Sequence, residues 1–294
     1  MDNLPKKITI IGVGLIGGSI ALGLKMHLAS KITIVGLCSR IERTQKAKEL
    51  GIIDEVIDLH AQPLGLRLVT LIILATPVEE TIKLLKFLSK IKFKNCLIID
   101  VGSTKEFVIN AAKQLLGPNI SFIGTHPMAG SDSSGFENAD PFLFQNKPWI
   151  ICPAENIIKE QLKLVEALIK ILGAKKMIMR DAKHDQFTAF ASHLSLVISS
   201  ILISTVAKQR QWRKIAQIAS TGFRDTTRLA SHNPRMKTDI VLSNKENLIK
   251  ALNATRIEID RFIEVLHSGN TDNLFNYFNQ TKIIRDNWLS TYFN

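Results

Sequence analysis

Short apolar runs, separated by segments of helical periodicity, fill the first 180 residues of the chain. The runs are rich in β-branched residues and have strand length, whereas the segments between them repeat apolar residues at helical spacing. Strands that alternate with helices are typical of a doubly wound parallel sheet of the Rossmann type, with helices on both faces. The predicted strands are 8–11, 31–37, 68–75, 97–101, 120–124, 149–152 and 176–179.

The pattern changes near residue 180. From Asp181 onwards the strand signals stop, and long apolar-periodic segments remain at 182–208, 211–221, 245–268 and 270–290. We therefore predict two domains, an α/β sheet domain over residues 1–180 and an all-α domain over residues 181–294.

One helical segment has no charged residue. Phe187 to Ala207 contains no Asp, Glu, Lys or Arg and is roughly long enough to cross a bilayer. It also contains His193 and several Ser and Thr residues, and no second segment resembles a companion span. The sequence therefore favours a helix buried at a domain or subunit interface over a membrane span.

Composition and charge narrow the functional classes only slightly. With 46% hydrophobic and 22% charged residues, the 294-residue chain can bury a core and is not intrinsically disordered. Cys38, Cys96 and Cys152 are isolated, so we expect no metal and a reducing, cytoplasmic compartment. The net charge of +12 is spread along helical faces, which favours solvated surface over a nucleic-acid partner.

The strongest local signal follows the first apolar run. Gly12, Gly14 and Gly17 form a Gly-x-Gly-x-x-Gly pattern between a predicted strand and a predicted helix. Gly12 permits a sharp turn, Gly14 lets a pyrophosphate approach the backbone, and Gly17 lets the helix pack close to the strand. Because the first helical turn, with Leu15 and Ile16, offers free N–H groups to phosphates, we predict a dinucleotide site rather than a merely structural turn.

The end of the second strand predicts which dinucleotide binds. An NAD site usually has a carboxylate there, which binds the ribose 2′-hydroxyl. This chain has Cys38, Ser39 and Arg40 instead, and a guanidinium would bind a 2′-phosphate. We therefore predict NADP rather than NAD, with Ser39 and Arg40 as ligands; the alternative is that Arg40 only ends the strand. Thr76 and Pro77, at the end of the third predicted strand, complete the predicted cofactor site.

Two further strand ends carry polar residues. Ser103 follows the strand 97–101, and His126 follows the strand 120–124. Sites in open α/β sheets form beyond the carboxyl ends of the strands, and a histidine exchanges protons near neutral pH. We therefore predict a functional role for His126; the alternative is an ordinary core or surface histidine.

The helical half contains a second group of candidates. Thr221 to Arg228 interrupts the helical pattern with a glycine and two arginines, and Arg224 could clamp a carboxylate through two parallel bonds. The alternative is a surface pair between Arg224 and Asp225, which would contribute little. His184 and His193 lie nine residues apart on one predicted helix, which places them on different faces and argues against a metal pair.

These segments together resemble the prephenate and arogenate dehydrogenases of tyrosine biosynthesis. The motifs GVGLIGGS, DVGSTK, THPMAGSDSSG, HDQFTAFASHL and STGFRDTTRLASHNP occur in the family's order over most of the chain. The resemblance implies an N-terminal nucleotide-binding domain and a C-terminal helical domain that forms a homodimer. It also implies an oxidative decarboxylation, in which hydride leaves C4 of prephenate or L-arogenate for the nicotinamide, the 4-hydroxyl loses its proton and the ring carboxylate leaves as CO₂.

The resemblance further implies the roles of individual residues. His126 would be the base that takes the proton of the 4-hydroxyl, and Ser103 would hydrogen-bond near that hydroxyl and the nicotinamide. The implied substrate-binding residues are Arg224, which would bind a carboxylate, His193, which would line the pocket, and Ser131 and Asp132, which would close it.

One position departs from the family's prephenate-specific members. Some of them have a second histidine three residues beyond the position of His193, where this chain has Leu196. The departure favours L-arogenate, whose amine Asp132 could attract.

Two other functions compete with this interpretation. One is another two-domain NADP-dependent oxidoreductase, of the β-hydroxyacid dehydrogenase or imine reductase type, which would use a lysine in the helical domain. The other is a non-catalytic NADP-sensing or nucleic-acid-binding protein, for which the sequence supplies no nucleic-acid motif.

Overall fold

An eight-stranded sheet forms the centre of the computed structural model, which describes residues 4–37, 40–58, 66, 69–131, 133–154 and 157–292. The strands are β1 (Lys7–Ile11), β2 (Thr33–Leu37), β3 (Glu55–Val56), β4 (Leu71–Leu74), β5 (Cys96–Asp100), β6 (Ile120–Pro127), β7 (Pro148–Pro153) and β8 (Lys175–Ile178). They lie in the order β3-β2-β1-β4-β5-β6-β7-β8. All neighbours are parallel except β6 and β7, which are antiparallel.

Helices alternate with the strands up to β8, and the described chain after β8 contains helices but no strand. They are α1 (Leu15–Leu28), α2 (Ile41–Glu49), α3 (Val78–Leu88), α4 (Glu106–Leu115), α5 (Lys159–Ile171), α6 (Asp181–Thr188), α7 (Leu194–Ala207), α8 (Trp212–Ile218), α9 (Thr221–Thr227), α10 (Pro234–Ser243), α11 (Lys245–Ser268) and α12 (Thr271–Tyr292). The predicted fold class, a Rossmann-type α/β sheet followed by a helical region, is confirmed.

Helices cover both faces of the sheet, which explains its continuous apolar strands. Ile20 of α1 and Leu168 of α5 pack on one face in a core cluster with Ile10 of β1. Leu85 of α3 packs on the other face in a second cluster with Leu74 of β4. Because β1, β4 and β5 are parallel neighbours, their carboxyl ends lie at the same edge of the sheet, and helices bury the sheet on both faces.

Two helical segments differ from the sequence prediction. The segment predicted as one helix over 182–208 contains a π turn, Ala189–His193, between α6 and α7. The stretch at 221–228, predicted as an interruption, is the helix α9, which packs against α7. One glycine lowers helix stability by only about 1 kcal/mol, so packing can outweigh the effect of Gly222.

The chain forms two compact units, Met1–Lys245 and Glu246–Asn294. The first contains the sheet and helices α1 to α10. In the second, the rings of Phe262, Tyr277 and Phe278 pack together with centroids 5.0 to 5.8 Å apart. The boundary predicted near residue 180 stays a prediction.

The segment Asp181–Ala207 is the one helix in the described part of the chain that is long and apolar enough to cross a bilayer. Within it, His184 and His193 are buried. Only 22% of its most apolar window is buried, and none of residues 200–207 is buried, so this chain by itself covers the first part of the helix better than the rest.

Candidate active site

The loop between β1 and α1 has the geometry of a phosphate cradle. Gly12 has a φ of +97°, and a Cβ there would lie 2.4 Å from the carbonyl oxygen of Ala75. A Cβ on Gly17 would lie 2.3 Å from the carbonyl oxygen of Gly12. A Cβ on Gly14 would meet no atom within 4 Å. The fold therefore requires glycine at positions 12 and 17, whereas Gly14 borders open space in which a phosphate would fit.

The first turn of α1 offers backbone donors to that space. Gly14 is the N-cap residue, and no side chain caps the helix. The N–H groups of Leu15 and Ile16 belong to the first turn, where an α-helix has no internal acceptors for its N–H groups. The loop thus fits the dinucleotide pyrophosphate that the sequence predicts here.

The predicted ligands from β2 begin beside this loop. The N–H of Gly12 donates to the carbonyl oxygen of Leu37 at 2.8 Å, so the end of β2 lies next to the glycine loop. Arg40 precedes α2, is exposed and has no ion-pair partner in the described part of the chain. Ser39 lies outside the described residues.

The predicted ligands after β4 lie on the other side of the loop. Thr76 is close enough that a Cβ on Gly12 would lie 2.8 Å from its Cγ2. The hydroxyls of Thr76 and Thr81 are 2.9 Å apart, and Pro77 is the N-cap residue of α3. The structure thus brings Thr76 and Gly12 together at the carboxyl edge of the sheet.

His126 and Ser103 extend from neighbouring parallel strands at the same edge. Asp100, the last residue of β5, pairs in register with Gly124 of β6, and His126 follows two residues later. The ring of His126 is buried, with 8% exposure, and Ser103 is half-buried in the loop between β5 and α4.

A chain of hydrogen bonds leads from His126 into the helical region. Nδ1 of His126 lies 2.9 Å from Nε2 of His184, and Nδ1 of His184 lies 2.7 Å from Oδ1 of Asp185. A carboxylate only accepts, so His184 donates from Nδ1, and a His184 ring with this single proton accepts at Nε2. His126 must then donate from Nδ1, which leaves a lone pair on its Nε2.

Asp185 is held as an acceptor at the start of α4. Its Oδ1 accepts the N–H of Lys105 at 2.8 Å, and its Oδ2 accepts the N–H of Glu106 at 2.9 Å. Both donors belong to the N-terminus of α4, whose partial positive charge attracts the carboxylate group. In the series of hydrogen bonds that joins His126, His184 and Asp185, His126 therefore donates to His184, and His184 donates to Asp185.

The surroundings of His126 keep its ring neutral. Burial lowers the pKa of His126 well below 6.5, the nearby Lys105 cation lowers it further, and a proton gained by His184 or His193 would do the same. A neutral ring with its proton on Nδ1 can accept a proton at Nε2, as a general base must.

A buried ion pair contacts the end of β6, the strand that includes His126. Nζ of Lys105 contacts Oδ2 of Asp100, and both side chains are almost fully buried. Lys105 also donates to the carbonyl oxygen of Thr125 at 2.8 Å, and Asp100 accepts the N–H of Gly102 at 3.0 Å. Burial raises the pKa of Asp100, and Lys105 opposes that shift. Lys105 thus bonds to the residue before His126, and its charge acts on the His126 ring.

His193 lies at the end of the π turn and is also buried. Its Nδ1 lies 3.1 Å from Nδ2 of Asn244, which also lies 2.7 Å from the carbonyl oxygen of Asp185. Burial lowers the pKa of His193 to about 4. The nine-residue spacing placed His184 and His193 on different helix faces, but the π turn adds a residue to one turn and changes the phase. Both rings are therefore buried close to Asp185.

Two other predicted substrate residues, Arg224 and Ser131, have no hydrogen bond to this network. Arg224 is 74% exposed at its side chain, and its Nε donates to Oδ1 of Asp225 at 3.0 Å. This is the surface pair that the sequence left as the alternative. The hydroxyl of exposed Ser131 accepts the N–H of Ser133 at 3.3 Å, and Asp132 lies outside the described residues.

Sequence reasoning missed most of the groups that position His126. Asp185, Lys105, Asp100 and Asn244 were not singled out, although DVGSTK and the adjacent pair His184-Asp185 contain four of the network's residues. The available signal was the adjacent pair His184-Asp185, two polar residues at the start of an otherwise apolar helical segment. In the described part of the chain, no group of three or more His, Cys, Asp or Glu residues could hold a metal ion.

Two family models match the chain and together span most of it. The model described as prephenate dehydrogenase, nucleotide-binding domain, matches residues 20–178. The model described as prephenate dehydrogenase, dimerization domain, matches residues 180–280.

Individual proteins extend this similarity. Prephenate dehydrogenase from Bacillus subtilis (strain 168) is 35% identical over 288 residues, which cover 97% of this chain and 77% of the relative. The crystal structure of prephenate dehydrogenase from A. aeolicus in complex with hydroxyphenyl propionate and NAD+ superposes with a TM-score of 0.91 at 30% identity, over 98% of this chain and 99% of that one. Synechocystis arogenate dehydrogenase gives a TM-score of 0.80 at 31% identity, over 96% and 99% of the two chains.

Proposed function

The chain belongs to the prephenate dehydrogenase family, and we propose that it catalyses the NADP-dependent oxidative decarboxylation of L-arogenate, of prephenate, or of both. The observation that carries the proposal is the directed chain from Asp185 through His184 to His126, because it leaves a basic nitrogen at the carboxyl edge of a dinucleotide-binding sheet. The products would be L-tyrosine from L-arogenate and 4-hydroxyphenylpyruvate from prephenate.

The reaction needs a base at the substrate's 4-hydroxyl. The bound dinucleotide would accept the hydride from C4 while the ring carboxylate leaves as CO₂. Nε2 of His126 takes the hydroxyl proton, and the resulting imidazolium is stabilised through His184 by the Asp185 carboxylate. Ser103, from the neighbouring strand end, would donate or accept a hydrogen bond at the same hydroxyl and near the nicotinamide.

Substrate anchoring requires donors for two carboxylates. Arg224 is proposed to bind one of them, since its exposed pair with Asp225 contributes little and exchanges readily. His193 would contribute a donor from the buried side of the site. Ser131 and Asp132, in the loop after β6, would close the pocket over the substrate.

The proposed preference for L-arogenate rests on Leu196 and Asp132. The side chain of Leu196 is buried and offers no hydrogen bond, whereas some prephenate-specific members of the family have a histidine at this position. Asp132 would attract the amine that L-arogenate has and prephenate lacks. The B. subtilis relative is named a prephenate dehydrogenase and the Synechocystis one an arogenate dehydrogenase, so a direct comparison of the two substrates is required.

The proposed preference for NADP rests on Arg40. Arg40 is exposed, and β2, whose last residue Leu37 bonds to Gly12 of the glycine loop, is followed in the sequence by Cys38, Ser39 and Arg40 in place of a carboxylate. A 2′-phosphate would gain charge-assisted hydrogen bonds there. The A. aeolicus relative was crystallised with NAD+, which makes the nucleotide choice of this chain a property to be measured.

A homodimer is proposed to cover the apolar surfaces of the helical region. A groove of about 610 Å³ between α7 and α10 is lined by apolar side chains that include Ile201 and Leu242, which are 46% and 66% exposed. In the second unit, Phe275 and Ile284 of α12 are more than half exposed. The family model for residues 180–280 is described as a dimerization domain, which supports a second copy as the covering partner.

We place the enzyme in the cytoplasm, and the unpaired, buried Cys96 and Cys152 support a reducing compartment.

The function is tested with the purified chain, both substrates and both nucleotides. Reduced nicotinamide is followed by absorbance and the aromatic products by chromatography. We expect NADPH and an aromatic product in equal amounts, with L-arogenate and NADP+ as the best pair. Absence of reduced nucleotide in all four combinations would overturn the proposed function.

A further inference from the structure

Asn244 forms a bridge between two parts of the site. It follows α10, is 4% exposed, and its Nδ2 lies 2.7 Å from the carbonyl oxygen of Asp185 and 3.1 Å from Nδ1 of His193. One amide group thus contacts both the residue that orients His184 and the histidine at the end of the π turn.

The chemistry of these contacts fixes the direction of each bond. A carbonyl oxygen only accepts, so the side-chain atom that faces Asp185 must be the NH₂ group of Asn244. That group carries a second hydrogen, which points to Nδ1 of His193. Nδ1 must therefore be the unprotonated nitrogen, and the proton of neutral His193 lies on Nε2.

The Nε2–H of His193 is a buried donor that has no partner within the described part of the chain. Buried donors without a partner are rare in folded proteins and call for an explanation, such as an absent ligand. The titratable groups near His193 are Asp185 and His184 on the same helix, and His126 on β6. Of these, only Asp185 favours a charged His193, and burial outweighs its effect.

We propose that Asn244 is a positioning residue that holds His193 in the neutral Nε2–H tautomer, so that His193 donates a hydrogen bond to an oxygen of the substrate. The identity of that substrate, a carboxylate-bearing cyclohexadienol, rests on the proposed function. A neutral donor would recognise the oxygen by geometry, without the ion pair that Arg224 would form.

The tautomer can be read directly from the protein without substrate. Nitrogen-15 NMR of the histidine rings distinguishes a protonated ring nitrogen from an unprotonated one, and loss of the signal in His193→Asn assigns it. At neutral pH we expect Nδ1 of His193 to be unprotonated and Nε2 to carry the proton. A proton on Nδ1, or an imidazolium, would overturn the inference, whether or not any variant of Asn244 folds.

Substitutions at Asn244 then test the consequence for binding. In Asn244→Asp a carboxylate faces His193 and only accepts, so Nδ1 takes the proton. At low pH both ring nitrogens are protonated and KM stays near its wild-type value. As the pH rises, Nε2 loses its proton and KM rises at least tenfold, while kcat changes less than threefold.

The controls separate positioning from packing. Asn110→Asp makes the same change on the exposed face of α4 and should leave KM unchanged at every pH. Asn244→Ala should raise KM by a smaller factor than Asn244→Asp and independently of pH, because it leaves the tautomer unfixed. If Asn244 only joined α10 to α6, both substitutions would lower Tm without a pH-dependent KM, which would contradict the proposal. An inactive wild-type chain would overturn the proposed function alone, since the NMR result is independent of turnover.

Discussion

Nδ1 of His126 lies 2.9 Å from Nε2 of His184, and the two rings meet edge to face with their centroids 5.1 Å apart. The residues are separated by 58 positions in the sequence, on β6 and α6. Because Asp185 fixes the proton of His184, this single contact decides which nitrogen of His126 is basic. The proposed chemistry depends on that assignment.

Replacement of His184 tests the contact. His184→Leu removes the acceptor for Nδ1–H of His126, and an unpaired buried donor costs about 1–3 kcal/mol. We expect kcat to fall about 10-fold to 100-fold with little change in nucleotide affinity. His184→Gln, whose amide can accept from His126 and donate to Asp185, should retain more activity than His184→Leu. Equal activities of the two variants in steady-state assays would contradict the directional role, and His27→Gln, on the exposed end of α1, is the control.

The buried ion pair predicts the pH dependence of the reaction. The reaction requires neutral His126, whose pKa lies well below 6.5. Therefore kcat/KM should stay constant through pH 6.5 and fall only when the pH drops below the lowered pKa of His126. Lys105 is one cause of the low pKa. The double substitution Lys105→Met with Asp100→Asn removes the cation and leaves no unpaired charge, and the acid limb of the pH profile should move to higher pH.

Stability measurements complete that test. Lys105→Met alone leaves a buried carboxylate without a partner and should lower the free energy of unfolding by about 3–5 kcal/mol, whereas the double variant should lose less. An acid limb at the same pH in the wild-type and double-variant enzymes would show that Lys105 does not tune His126.

The glycine loop predicts two different effects of the same substitution. Gly17→Ala places a Cβ against the carbonyl oxygen of Gly12 and should lower Tm, since overpacking costs about 1–3 kcal/mol. Gly14→Ala adds a methyl group to open space and should leave Tm nearly unchanged. It should nevertheless raise the nucleotide Kd by about tenfold or more, because the methyl group occupies the phosphate position. Calorimetric melting and nucleotide titration measure both effects, and wild-type affinity in Gly14→Ala would place the phosphates elsewhere.

Arg40 predicts the nucleotide preference. Arg40→Ala removes a charge-assisted hydrogen bond to the 2′-phosphate, a loss of about 1.5–3 kcal/mol, so kcat/KM for NADP+ should fall roughly 10-fold to 150-fold. The value for NAD+ should change little. Lys48→Ala, which removes the same charge from the last turn of α2, is the control. A parallel loss with both nucleotides would mean that Arg40 does not recognise the 2′-phosphate.

The fold was predictable because local patterns determine most of it. The β-branched runs form the strands, and Gly12 and Gly17 occupy positions where only glycine fits. The position of His126 was predictable as well, since the carboxyl edge of a parallel sheet is where such folds place their sites. The antiparallel β7 was not, because strand direction depends on how the connection from β6 folds back.

Local sequence patterns could not predict the hydrogen-bond network around His126. Its bonds join residues far apart in sequence, as between Lys105 and Asp185, and no periodicity encodes such contacts. The nine-residue spacing of His184 and His193 gave the wrong relative orientation because it assumed an uninterrupted α-helix. For Arg224 the sequence left a surface pair and a substrate role open; the structure contains the surface pair with Asp225, and the substrate role stays a proposal.

The most direct test of the account is the turnover of His126→Asn. Asparagine can still donate to His184 but supplies no basic nitrogen, so kcat should fall by about 10²–10⁴-fold. The nucleotide Kd, measured by titration on the same preparation, should stay within twofold of the wild-type value, and His27→Asn should behave as wild type. A His126→Asn enzyme that turned over L-arogenate or prephenate at the wild-type rate would contradict the assignment of His126 as the base.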